Sequence, residues 1–248
     1  MILVKSDQGI VKMKKAGQVT ARVIEQISSM VKPGVTTREL DKKAEELCLA
    51  LGGKPAFKGY RGFAYSLCCS PNEQVVHGFP TSVPLEEGDI LSLDFGALVD
   101  GYFGDMAVTL PVGEISEEAK NLLAATKASL EAGIAQVIAG ARLGDISAAI
   151  QKCAEGAGYS IVKQFVGHGI GQALHEEPSV PNFGVKGKGP KLKAGYVLAI
   201  EPMVNMGKQE VKILPDGWTT STIDGKLSAH FEHTVAVTKK GPMVLTLP

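Results

Sequence analysis

The sequence predicts an α+β chain folded as a single domain of two related halves, with four helices backing a shared sheet. Three observations predict it. At 248 residues, 44% of them hydrophobic, the chain can bury a large core and still fall within the range of one domain. Stretches with helical hydrophobic spacing alternate with short strand-like runs bounded by glycine. The alternation also repeats. Leu85-x-x-Gly88-x-Ile90-Leu91-Ser92-Leu93-Asp94 matches Leu192-x-x-Gly195-x-Val197-Leu198-Ala199-Ile200-Glu201 at an offset of 107 residues, and both copies end on a carboxylate. A weaker match aligns Gly34, Leu40, Ala44, Leu47 and Gly52 with Gly140, Ile146, Ile150, Cys153 and Gly158 at an offset of 106. The halves are residues 1–112 and 113–248, and no Ser- and Pro-rich linker separates them.

Taken in order, residues 5–30 carry Ile10, Met13, Val19, Val23, Ile24 and Ile27 at roughly helical spacing, and Pro33-Gly34 stops the pattern. A second helix is predicted over 37–51. Ile90-Leu91-Ser92-Leu93 reads as a strand leading into Asp94, and the turn signal Asp100-Gly101 leads on to Asp105, so the two aspartates fall on one hairpin. A two-residue turn at Asp100-Gly101 pairs Gly96 with Asp105 and Asp94 with Ala107, which makes the aspartates diagonal neighbours on one face. The second half predicts a helix over 116–139, with Ser116 as N-cap and Glu118 in its first turn, and another over 145–155 that ends before Gly156 and Gly158. Residues 186–193 form a basic, Gly-rich surface loop. At Glu201-Pro202 the proline blocks further ladder pairing and leaves a carboxylate equivalent to Asp94. Residues 229–237 alternate like a strand and place Glu232 on the face opposite His233 and Val235.

Twenty-six basic and twenty-six acidic side chains cancel, so the overall charge offers no phosphate-binding field and argues against DNA or RNA as a dedicated partner. Apolar runs are short and interrupted, well under the roughly 20 residues that span a bilayer. The polar start lacks a signal-peptide core, which makes the cytoplasm the expected compartment. Cys48, Cys68, Cys69 and Cys153 show neither zinc-module spacing nor the density of a disulfide scaffold, and read as free thiols.

Two like charges close together on a sheet call for raised pKa values or a bound cation; the plain alternative is that one aspartate caps a turn and the other meets solvent. The second half adds Glu201 and Glu232, the latter in the middle of an apolar strand unless that strand is an edge facing water. Of five histidines, four adjoin glycine or acidic residues: His77-Gly78, Gly167-His168-Gly169, His175-Glu176 and Glu232-His233. Four ionised carboxylates with one neutral imidazole carry a charge of about minus four, which two divalent cations neutralise, whereas unpaired buried acids cost several kcal/mol each. Oxygen-rich ligation with a single nitrogen suits manganese, iron(II) or cobalt, with zinc also admissible.

At these residues the sequence closely resembles the methionine aminopeptidases. The matching segments are Asn72-Glu73-Gln74-Val75-Val76-His77-Gly78, Leu93-Asp94-Phe95-Gly96, Gly104-Asp105-Met106-Ala107-Val108-Thr109, Gly167-His168-Gly169-Ile170-Gly171, His175-Glu176-Glu177-Pro178, Ile200-Glu201-Pro202-Met203 and Phe231-Glu232-His233-Thr234. The resemblance implies the pita-bread fold, two pseudosymmetric halves around a curved antiparallel sheet. About 25 residues separate His175 from Glu201, which leaves no room for the type II helical insertion, and there is no N-terminal zinc-binding extension, so the short bacterial type I form is implied. The proline-specific relatives that share this fold usually carry an extra N-terminal domain, and non-catalytic binding relatives tend to lose metal ligands.

By that resemblance Asp94 holds one divalent metal, His168 and Glu201 hold the other, and Asp105 and Glu232 bridge both. Glu201 is also the implied proton acceptor, His175 steadies the carbonyl oxygen, and His77 contacts the scissile nitrogen or the next backbone unit. The implied substrate is the N-terminal methionine of nascent polypeptides. Its side chain would enter a pocket formed by Tyr60, Phe63, Cys68 and Trp218, with Phe57 and Leu174 alongside. Phe57 departs from the small or sulfur-containing residue common in the family, and Leu174 from a common phenylalanine. The lysines at 186, 188, 191 and 193 suggest a transient contact with ribosomal RNA, against the plainer reading of a solvated loop. A neutral surface and self-contained length suit a monomer.

Overall fold

The computed structural model describes all 248 residues. Its four helices are α1 (Asp7–Ser28), α2 (Thr37–Ala50), α3 (Glu117–Ile134) and α4 (Leu143–Gly156). Three of them begin on a hydroxyl cap that satisfies an otherwise unpaired backbone donor, and at α4 a first-turn acid supplies the bond instead. The side chains of Ser6 and Ser116 accept from the backbone N–H groups of Gly9 and Ala119. Thr36 and Glu39 form a reciprocal capping box on α2, and the Asp145 carboxylate reaches back to the Arg142 N–H at the start of α4. Helix α3 stops earlier than the expected residue 139. There the chain tightens into bonds from Gln136 to Gly133 and from Val137 to Ile134, which turns the buried Val137 into the core.

The main sheet is antiparallel throughout. Its path runs Lys54–Pro55, Ile90–Val99, Tyr102–Pro111, Glu232–Thr238, Val197–Ile200, Gly167–Gly169 and Glu176–Val180, with Cys68–Pro71 added to the Ile90–Val99 strand and Gly241–Val244 to Glu232–Thr238. The Glu232–Thr238 strand is therefore the seam, pairing with the first-half hairpin on one side and with the second copy of the repeat on the other. Asp100 and Gly101 both have positive φ, 48° and 80°, the conformation that a tight hairpin turn needs. The resulting register is the one the turn predicts, Asp94 with Ala107 and Gly96 with Asp105.

Each half packs its own core. Helices α1 and α2 bury Ile24, Ile27 and Leu40 against Leu91 and Phe95, whereas α3 and α4 bury Leu122, Ile146 and Ile150 with Leu198 and Val235. Burying each such side chain contributes roughly 1.5–3 kcal/mol. Helix α1 comes unusually close to the hairpin because Gly17 faces Gly104, where a Cβ would lie 2.6 Å from the Gly17 nitrogen, and the Thr20 hydroxyl donates to the Gly104 carbonyl at 3.1 Å. A third cluster gathers Phe57, Phe63, Cys68 and Leu174, with Trp218 packed against it, beside the acidic end of the seam. The 186–193 segment is tied to the start of α4, through Gly144 N–H to Lys188 O, Leu143 N–H to Pro190 O and Gly187 N–H to the Asp145 carboxylate. No helix is long and apolar enough to cross a membrane.

Candidate functional site

Where the two halves meet, a cavity of about 150 Å³ opens. It is lined by Asp94, Asp105, His168, Glu201 and Glu232, by His77 and His175, and by Phe57, Tyr60, Phe63, Cys68, Leu174 and Trp218. Every residue singled out from the sequence thus reaches one place, and Arg61 joins them.

The acids are delivered by strand pairing. Ala107 is the partner of both Asp94 and Glu232, so those two side chains flank it across three adjacent strands, with Asp105 two residues before it. Asp105 is locked from behind: its N–H donates to the Thr234 hydroxyl at 3.0 Å, and that hydroxyl donates back to its carbonyl at 2.8 Å. His168 lies opposite Ala199 on the next strand pair, and Glu201 follows the end of that strand. His168 Nε2 lies 3.6 Å from Glu201 Oε1 and 4.0 Å from Asp105 Oδ2. Ligand atoms of Asp105, His168 and Glu232 all fall within 4.8 Å of one another.

Electrostatically the cluster is uncomfortable without a cation. Burial raises the Asp105 carboxyl to about 7, against the opposing hydrogen bond from the Met106 N–H. Burial, reinforced by neighbouring carboxylates, pushes Asp94, Glu201 and Glu232 well above the ordinary carboxylate range. Asp94 Oδ1 and Glu232 Oε1 are sealed from solvent with no hydrogen-bond partner. Orphaned, converging carboxylate oxygens of this kind fit divalent cations. The histidine fits as well: His168 Nδ1 lies 2.8 Å from the Gly169 carbonyl, which fixes the proton there and leaves Nε2 free as a ligand, and burial lowers its pKa to about 3.

The other histidines border the cluster. His175 Nδ1 is 2.9 Å from Tyr60 Oη, and the two rings stack at 5.3 Å. Its ring centroid is 4.2 Å from that of His168, and burial followed by the Arg61 charge depresses its pKa. The loop that carries it is held from below by Glu176. Oε1 of Glu176 accepts from the N–H groups of Gln172 and Ala173, and Oε2 forms a buried ion pair with Lys5 at 2.5 Å. His77 has φ of 60°, a strained conformation for a residue with a side chain, and stands edge-on to Phe165 and Trp218. Burial lowers its pKa to about 4.

The remaining wall is apolar. Phe63 and Trp218 meet edge to face at 5.2 Å, and Asp216 fixes the Trp218 turn by accepting its N–H and that of Thr219. Cys68 is the cross-strand partner of Asp94, so the apolar wall adjoins the acids directly, and burial keeps its thiol protonated.

Sequence reasoning did not single out Arg61 or His230. Arg61 reaches the cavity only because its own backbone is left-handed (φ 50°) between two positive-φ glycines, Gly59 and Gly62, which no periodicity announces. His230 had a readable signal, two residues before Glu232 in an alternating run, but the expected single strand over 229–237 is broken at Phe231: His230 ends the Ser228–His230 strand of a separate three-stranded sheet and Glu232 begins the seam strand. The structure buries its ring with Nε2 3.8 Å from Glu201 Oε2.

The profile of metallopeptidase family M24 matches residues 11–239. A methionine aminopeptidase of Clostridium perfringens is 52% identical over 100% of this chain and 99% of its own length. Methionine aminopeptidase 1 of Bacillus subtilis is 49% identical over 99% of each chain. The crystal structure of the Thermotoga maritima methionine aminopeptidase superposes with a TM-score of 0.99 at 44% identity, covering 100% of both chains, so the architecture is the pita-bread fold.

Proposed function

This chain belongs to the methionine aminopeptidases of metallopeptidase family M24, and from that premise we propose that it removes the initiator methionine from nascent polypeptides whose second residue is small. The carrying observation is the junction of two unlike walls in one cavity, buried acids with orphaned oxygens beside an aromatic pocket. In this reading residues 1–248 form one catalytic domain. Asp94, Asp105, His168, Glu201 and Glu232 hold two divalent metals, manganese, iron(II) or cobalt by ligand hardness, with zinc admissible. Such metals supply Lewis acidity that polarises a carbonyl and makes water nucleophilic near neutral pH.

The chain's own groups do the rest. The methionine side chain enters between Phe63, Cys68 and Trp218, with Phe57, Leu174 and Tyr60 completing the wall. Glu201 accepts the proton released by the attacking water. In this reading His175 carries its imidazole proton on Nε2, from which it donates to the carbonyl oxygen as charge develops, and its Nδ1 accepts from the Tyr60 hydroxyl 2.9 Å away. His77, kept neutral by burial, contacts the departing nitrogen or the following backbone. We place the enzyme in the cytoplasm as a monomer, with a transient ribosome contact through the 186–193 lysines.

The test is hydrolysis of Met-Ala-Ser against Ala-Pro peptides after chelation and re-addition of single divalent metals. Metal-dependent cleavage of Met-Ala-Ser is expected, and a preference for the proline peptides overturns the reading. Charge reversal of the four loop lysines should weaken ribosome co-sedimentation; unchanged sedimentation removes that contact.

A further inference from the structure

Among the five histidines, His230 has no part in the mechanism above, yet it is the most thoroughly buried, at 1% exposure. Its Nε2 meets no hydrogen-bond partner, and a sealed polar atom without a partner is a liability that folds rarely keep without use. The atom is aimed at Glu201. Oε1 of that carboxylate lies 3.6 Å from His168 Nε2, while Oε2 lies 3.8 Å from His230 Nε2, so the two oxygens are divided between two imidazoles.

Both backbones are fixed, which makes the arrangement specific. The His230 N–H donates to Thr109 Oγ1 at 2.9 Å, and that hydroxyl donates to the His230 carbonyl at 2.8 Å, with Ser92 Oγ 2.8 Å behind it. Asn182 Nδ2 donates to the Glu201 carbonyl at 2.9 Å, and His230 is the cross-strand partner of Met203, two residues beyond Glu201. Only side-chain torsions separate donor from acceptor, and a movement of under about 1 Å closes the gap to hydrogen-bond length.

We propose that His230 is a positioning residue that donates Nε2–H to Glu201 Oε2, holding the carboxylate in the rotamer that presents Oε1 beside His168. The proposal rests on the reading of Glu201 as a metal ligand. Ligating carboxylates are commonly oriented by such outer hydrogen bonds, and their loss typically costs about 10–100-fold in metal affinity or activity.

The experiment compares full-length wild type with His230→Phe, which keeps a ring but loses the donor, and His230→Gln, which keeps an N–H donor. Binding of Mn²⁺ alone is followed by titration calorimetry, alongside kcat and KM for Met-Ala-Ser. His230→Phe should weaken Mn²⁺ binding about 10–100-fold and lower kcat with KM nearly unchanged, and His230→Gln should recover most of both. Wild-type affinity in His230→Phe, or equal losses in the two variants, overturns the proposal. Should His230→Phe fail to fold, nitrogen NMR of the Zn²⁺-loaded wild type decides: a slowly exchanging proton on His230 Nε2 supports it and a proton on Nδ1 refutes it. Glu201→Ala separates the two claims, because unchanged Mn²⁺ binding there overturns the ligand reading itself.

Discussion

Asp94, Asp105 and Glu232 stand side by side on three paired strands, whereas Tyr60, Phe63, Leu174 and Trp218 reach the same cavity from turns and loops. The acid wall is positioned by register, and a one-residue slip would turn its side chains to the other face. The apolar wall is positioned by local devices: the left-handed turn at 59–62, the Asp216 cap and the Glu176 bonds under the His175 loop. Disturbing the first wall should therefore abolish metal chemistry without unfolding the chain, and disturbing the second should alter substrate fit without touching the metals.

The largest effect is expected at Asp105→Ala. It should remove metal binding and reduce turnover more than about 100-fold, beyond the loss typical of a group that only supports a ligand. Helical content should stay at the wild-type level by circular dichroism, because Thr234 pairs with the backbone of Asp105 and not with its carboxylate. Wild-type metal stoichiometry in this variant would break the division between the walls.

Next is the pH response of the metal-free protein. Burial raises Asp105 from its ordinary value of 3.8 to about 7, and Asp94, Glu201 and Glu232 rise as well. The same burial lowers the histidines, His168 and His230 to about 3 and His77 and His233 to about 4. Below about pH 6.5 unfolded imidazoles therefore take up protons that the folded ones refuse, and the two effects oppose each other. Above it the raised carboxyls leave the folded chain with more protons than the unfolded one, and stability must fall as pH rises. The chelated protein should melt at least about 2–4 °C lower at pH 8.5 than at pH 7, the shift that 1 kcal/mol produces in a domain of this size. Saturating divalent metal should abolish or reverse the trend. A metal-free melting temperature that rises with pH above pH 7 would show that these acids are not held in the unfavourable state their burial implies.

The same contrast explains what the sequence disclosed. Asp94 and Asp105 were legible because one dipeptide, Asp100-Gly101, dictates the hairpin and the hairpin dictates pairing. Glu201 was legible because it repeats Asp94, and Ser116 because a helix cap has a fixed chemistry. Arg61 was not, since its approach depends on a backbone inversion, and the early end of α3 was not, since burial of Val137 outweighs local helix preference. The pocket residues came from resemblance to a family, not from spacing. Loops obey tertiary contacts that no local pattern encodes.

His175→Ala tests the boundary between the walls, because its ring lies against His168 on one side and Tyr60 on the other. Loss of a donor aimed at developing charge should lower kcat about 100-fold, with Mn²⁺ stoichiometry retained. Tyr60→Phe, which removes the hydroxyl but keeps the stack, should lose less.

The smallest effect belongs to the apolar wall. Trp218 packs edge to face on Phe63 and stands near His77, but its turn is fixed by Asp216 through backbone groups that survive truncation of the side chain. Trp218→Ala should therefore leave the turn, the metals and the melting curve largely unchanged while removing apolar surface that the methionine side chain covers. Losing contact worth between one and two buried methylene groups raises KM about tenfold, with a smaller change in kcat. Peptides starting with norleucine should lose by a similar factor, since the pocket measures apolar length and not sulfur alone. A fall in metal affinity on Trp218→Ala would mean that the walls are coupled through the Cys68 and Asp94 pair, the one point where a pocket residue sits directly across the ladder from an acid.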